Sequence, residues 1–151
     1  MSVSNAPRSV AAHLAIKDAS SAIEFYVSVF GADEDFRLVD PLDGRIGHAE
    51  LSFGNTKLFL CDEYPDFGAV SPDTLGGSPV QFHVEVADAD AFVAAAAERG
   101  AVVLRPVTEQ FYGYRSGLLA DPFGYRWFVD SKVEELTADE MQQRWSASVS
   151  T

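Results

Sequence analysis

The spacing of hydrophobic positions changes twice in the first part of the chain, and each change marks an element. Over residues 11–17 they alternate, with Leu14 and Ile16 on one face and Ala11, His13 and Ala15 on the other, the period of a strand. Beyond Asp18 the period lengthens. Ala22, Ile23, Tyr26, Val29 and Phe30 recur at helical spacing over 19–30, with Asp18 placed to cap the first turn and Gly31 to end the last. Strands are then predicted at 36–39, at 47–53 after the Asp40-Pro41-Leu42-Asp43-Gly44 turn, and at 57–61 after Gly54-Asn55. The order is βαβββ.

After a loop at 64–79 rich in Pro, Asp and Gly, the same order begins again. Val84 and Val86 stand in a strand over 80–87 where Leu14 and Ile16 stood, and Asp88 caps a helix over 89–99 that buries Phe92, Val93, Ala96 and Ala97 before Gly100. Strands follow at 102–104, 116–120 and 125–129, the last after Asp121-Pro122-Phe123-Gly124. The correspondence is also visible as a repeat: His13 and His83, Asp18 and Asp88, Phe53 and Phe123, and Gly54 and Gly124 each lie 70 residues apart, while Gly31-Ala32 recurs at Gly100-Ala101 one residue short. The chain divides into a flexible N-terminus at 1–9, a single domain over 10–131 with modules at 10–63 and 80–131, and a C-terminal segment at 132–151. In that segment Thr137 and Glu140 have capping-box spacing and predict a helix over 138–145, with Trp145 packing it onto the body or a partner subunit.

Composition narrows the classes. A chain of 151 residues can bury one core, and 47% hydrophobic with 23% charged residues is an ordinary globular balance. No apolar run approaches the ~18 residues that span a bilayer, and residues 1–8 lack the features of an export signal, so membrane insertion is disfavoured and a cytoplasmic location is expected. Eleven basic against 23 acidic side chains give a formal charge of −12, which repels phosphate backbones and disfavours nucleic acid as a partner. Cys61 is the sole cysteine, which excludes an intrachain disulfide and a four-thiolate zinc site; it reads as a small buried hydrophobe.

The run His13-Leu14-Ala15-Ile16-Lys17-Asp18, continued to Phe25-Tyr26 and closed by Phe30-Gly31-Ala32, resembles the opening of glyoxalase and bleomycin-resistance proteins, the vicinal oxygen chelate superfamily that also holds ring-cleaving dioxygenases. Asp121-Pro122-Phe123-Gly124-Tyr125 resembles their closing turn. Gly47-His48-Ala49-Glu50-Leu51, Gly76-Gly77-Ser78-Pro79 and Gln110-Phe111-Tyr112-Gly113 with Arg115 resemble the PhnB-like branch. The resemblance covers 10–140 and implies an α+β fold of two tandem βαβββ modules forming a cup-shaped mixed sheet, commonly in a homodimer.

Metal-dependent relatives would hold a divalent ion from the first and fourth strands of each module. By that resemblance the ligand positions fall on Ala11, Gln81, Phe59 and Phe128, none of which is a strong ligand. A shifted two-histidine, one-carboxylate site of His13, Glu50 and His83 is the alternative, and with it a lyase, isomerase or dioxygenase-like enzyme. The first expectation needs no cofactor: a binder of an aromatic or small polar organic ligand, the pocket lined by His13, Glu50, Phe59, His83, Phe111, Tyr112, Arg115 and Phe128. Here the glycine-jointed stretch 110–115 supplies aromatics and Arg115 an anchor for an anion, unless Arg115 pairs with an internal carboxylate instead. His48 and Glu50 read as a polar pair on one strand face, and an interaction module whose hollow is filled by its own side chains is a third reading. No phosphate-binding glycine loop or nucleophile elbow is present, so nucleotide chemistry and a serine-hydrolase site are disfavoured.

Overall fold

A computed structural model describes residues 5–150. Of the N-terminus expected to be flexible, residues 1–4 lie outside the described residues, and 5–9 are exposed and irregular. The chain forms two compact units, 1–75 and 76–151, each holding one four-stranded mixed sheet.

In the first unit, β1 (Ala12–Ile16) leads into α1 (Ala19–Phe30), followed by β2 (Asp33–Val39), β3 (Ile46–Phe53) and β4 (Thr56–Asp62). The sheet order is β1-β4-β3-β2, with β1 and β4 parallel and the other pairs antiparallel. The helix limits match the sequence pattern because both ends carry strong signals. The Asp18 carboxylate accepts from Ser21 N at 3.1 Å, and Gly31 closes the helix in the left-handed region at φ 69°. One face of the sheet lies under α1. Leu14, Ile16, Ala49, Leu51, Leu58 and Leu60 pack there with Ile23 and Tyr26, all buried. Alternation sends His13, His48, Glu50 and Phe59 to the opposite, open face.

The loop after β4 is less featureless than its composition implied. It holds a 3₁₀ turn at Pro65–Phe67 and a one-turn helix α2 (Pro72–Leu75), both too short to leave a period in the sequence.

The second unit repeats the first: β5 (Gln81–Glu85), α3 (Ala89–Glu98), β6 (Val102–Glu109), β7 (Tyr114–Ala120) and β8 (Arg126–Lys132), in the order β5-β8-β7-β6. Asp88 caps α3 through Ala91 N at 3.1 Å. A further support recurs with different atoms. At the end of β4 the Asp62 carboxylate accepts the first helical N–H, from Ala19, at 2.8 Å; at the end of β8 the Ser131 hydroxyl accepts from Ala89 at 2.6 Å. Both tie a helix start to the sheet beneath it.

The β7–β8 turn is built on Asp121, which is buried. Its Oδ1 accepts from Phe123 N and Tyr125 N, and its Oδ2 from Trp127 Nε1 at 2.9 Å. Beyond β8, α4 (Ala138–Val149) starts on the expected capping box of Thr137 and Glu140 and runs past the predicted end. It is secured to the β6–β7 loop by Trp145, stacked on Phe111 at 5.9 Å, and by Arg144, which donates to the Phe111 carbonyl at 3.4 Å and pairs with Glu134.

Candidate functional site

Register defines the open face of each sheet row by row. In the first unit His13 pairs with Phe59, Phe59 with Glu50, and Glu50 with Phe36, so these four cross the sheet in one line. His48 fills the space beside that line, its ring 5.2 Å from Phe59, 5.9 Å from His13 and 5.9 Å from Phe36, with Nε2 3.0 Å from Glu50 Oε2. Lys57 reaches the other Glu50 oxygen at 3.8 Å. His13 is held below the usual histidine range, first by burial and then by the neighbouring His48. Burial pushes the Cys61 thiol up, with Asp62 adding to the effect, so the thiol stays protonated and unreactive.

In the second unit the equivalent line runs His83, Phe128, Leu118, Arg105. The His83 imidazole stacks on Phe128 at 4.5 Å with 13° between planes. His83 Nδ1 lies 2.7 Å from Asp130 Oδ2, and the Ser116 hydroxyl donates to Asp130 Oδ1 at 2.5 Å. The carboxylate therefore bridges imidazole and hydroxyl; a hydrolase would place the imidazole between them. Beside this chain is a hollow of about 240 Å³ lined by Arg105, Thr108, Gln110, Tyr112, Ser116 and Phe128, among others. The Arg105 guanidinium lies 6.0 Å from the Phe128 centroid and forms no ion pair among the described residues.

The structure thus gathers His13, Glu50 and Phe59 on one open face and His83, Phe128 and Tyr112 on the other. Two expected lining residues are engaged elsewhere. Tyr114 already belongs to β7, so alternation sends Arg115 to the helix side, where Asp90 of α3 clasps its guanidinium with two contacts of 3.0 Å. Phe111 faces Trp145 of α4. Arg105, Ser116 and Asp130 went unread as site residues. The signal for Arg105 was the Arg-Pro step that delivers it to a strand edge; Asp130, 47 residues from His83, carried no local signal.

A divalent metal does not fit the positions that the resemblance assigned. At Phe59 and Phe128 aromatic rings packed on imidazoles replace the oxygen donors, and Ala11 offers no donor. For the shifted set, no three His, Cys, Asp or Glu side chains come together as a metal-binding group among the described residues.

Residues 8–129 match the family model of the Glyoxalase/Bleomycin resistance protein/Dioxygenase superfamily. The chain belongs to that superfamily. Within it, the chain is 38% identical over 146 residues to an uncharacterised protein of Mycobacterium bovis, covering 95% of each chain. Among solved structures, TioX from Micromonospora sp. ML1 superposes with a TM-score of 0.61 at 25% identity, covering 85% of this chain and 99% of that one. A PhnB protein of Bacillus cereus, at 17% identity and a TM-score of 0.65 over 82% of this chain and 99% of that one, shares the fold.

Proposed function

We propose that the protein binds a small aromatic acid on the open face of its second module, without a metal ion. The observation that carries this reading is Arg105: a guanidinium with no carboxylate partner among the described residues, beside an aromatic floor, at the rim of a hollow. A carboxylate would take the guanidinium, the ring would lie near Phe128, and Thr108, Gln110, Ser116 and Tyr112 offer hydrogen bonds around it. At about 240 Å³ the hollow is smaller than the ~300–1,000 Å³ of drug-sized sites, which favours a small acid. The anchoring role expected of Arg115 passes to Arg105.

The test is calorimetric titration with benzoate, salicylate and 3-phenylpropanoate, each against its amide. The acids should bind and Arg105→Ala should weaken them about tenfold or more, in keeping with the ~1.5–3 kcal/mol of a hydrogen bond to a charged group. Equal binding of acid and amide, unchanged by the substitution, overturns the reading.

Two further elements belong to this reading. A cytosolic location is supported by the single, buried, free thiol, and no helix among the described residues is long and apolar enough to cross a membrane. A homodimer is supported by the exposed edge strands β2 and β6, which present Phe36, Leu38, Val39, Val102 and Val103.

A further inference from the structure

We infer that Gly117 is a positioning residue of the hollow: the register slip it permits in β6 keeps Thr108 beside Arg105 as a second donor to a bound carboxylate. The inference rests on the binding reading above and names how that site grips an acid.

The slip lies in the pairing of β6 with β7. Arg105 faces Leu118 and Thr108 faces Ser116, so three steps along β6 meet two along β7. In an unbroken ladder Val107 would face Ser116 and share its side of the sheet, and Thr108 would turn toward α3. The extra residue reverses that choice. Val107 folds over the helix side of Gly117, and Thr108 joins Arg105 and Ser116 around the hollow. Gly117 makes the room. A Cβ there would sit 2.8 Å from Val107 Cγ2 and 3.1 Å from both Arg105 O and Val107 N. The φ of Gly117 lies outside the left-handed region, so space rather than backbone freedom calls for glycine. Pro106 has no N–H to leave unpaired at the slip, and on the helix side Arg115, clasped by Asp90, holds a guanidinium nitrogen 3.5 Å from the Val107 carbonyl.

Thr108 is set to donate. Gln110 Nε2 gives a hydrogen bond to Thr108 Oγ1 at 2.9 Å, which engages the oxygen and leaves the hydroxyl proton for a ligand. Arg105 and Thr108 stand on one face of β6 with only the slip between them, a charged and a neutral donor for the two oxygens of one carboxylate. With Val107 in the place of Thr108, the second oxygen would meet a methyl group and lose its partner.

The first module shows the alternative. By register Ala49 matches Gly117, and there Phe36, Arg37 and Leu38 pair with Glu50, Ala49 and His48 in an unbroken row. Where a methyl group stands on the central strand, the edge strand stays regular; where it is missing, the edge strand slips.

The experiment titrates benzoate and benzamide into wild type, Thr108→Val, Thr108→Ser and Gly117→Ala, and reads the register from nuclear Overhauser contacts to Ser116. Thr108→Val, close to the native shape, should weaken benzoate about tenfold and benzamide far less, so that the preference for the acid narrows. Thr108→Ser, which keeps the hydroxyl, should bind benzoate as wild type does. Gly117→Ala should repeat the loss for benzoate and show Val107 in the place of Thr108 opposite Ser116, a signature that loss of folding does not give. If wild type binds benzoate and Thr108→Val binds it equally well, or if Gly117→Ala keeps Thr108 opposite Ser116, the positioning role is overturned and the aromatic-acid reading stands. If wild type binds no acid, both fall together.

Discussion

His13, Phe59, Glu50 and Phe36 in the first sheet occupy the same places as His83, Phe128, Leu118 and Arg105 in the second. The histidine and its phenylalanine recur; everything beyond them differs. In the first row a carboxylate sits near the middle and is already met by His48 and Lys57. In the second row the carboxylate lies behind the histidine, and a cation with no ion pair among the described residues stands at the end. The helix side of both sheets stayed alike: aliphatic side chains under a helix, with the helix start held by a strand-end oxygen from Asp62 or Ser131. The two modules therefore share what packs and differ in what faces outward, where side chains can vary at little cost to folding.

Three changes would break or sharpen that comparison. Leu51 and Leu119 occupy matched, fully buried places, and truncating either to alanine should cost ~2–5 kcal/mol in urea unfolding. Similar losses support equivalent cores; a large loss at one alone means that the modules are unequally packed. Next comes the turn that only the second module has. Asp121→Ala removes the carboxylate that accepts from Phe123 N, Tyr125 N and Trp127 Nε1 and should cost ~1–3 kcal/mol, read by the same titration and by a change in Trp127 fluorescence. The smallest effect concerns His13. Its pKa is lowered in the folded state, so the unfolded chain takes up the proton first as pH falls below ~6.5, and stability declines from there until the folded-state value is passed. His13→Gln should flatten that acid slope between pH 7.5 and 5.5. An unchanged slope would mean that the burial of His13 beside His48 has no energetic weight.

Architecture was legible because strand and helix periods alternate cleanly and both helices carry an aspartate cap; α1 was bounded to the residue. The repeat was read less well than it looked. Phe53 ends β3 beside a two-residue turn, whereas Phe123 lies inside the longer turn between Ala120 and Arg126, so the match 70 residues apart at 53 and 123 is not a structural equivalence. By register, Glu50 matches Leu118 and Phe59 matches Phe128, offsets that a constant spacing conceals. β6 runs past the predicted end at 104 through Pro106, which an edge strand tolerates at a register shift. That truncation also hid Arg105. Treating 110–115 as one loop hid the start of β7 at Tyr114, and with it the face on which Arg115 lies. Long-range pairing such as His83 with Asp130 comes only from strand order, which local periodicity does not contain.

The contact of Trp145 with Phe111 makes α4 a splint for the hairpin tip that carries Tyr112 at the hollow's rim. Gly113 tightens that joint: at φ 87°, with the Glu134 carbonyl 2.6 Å from where a Cβ would sit, it admits no other residue. Anything appended to or clipped from the C-terminal helix will therefore be felt at the rim, and an affinity tag placed there would alter the behaviour under measurement.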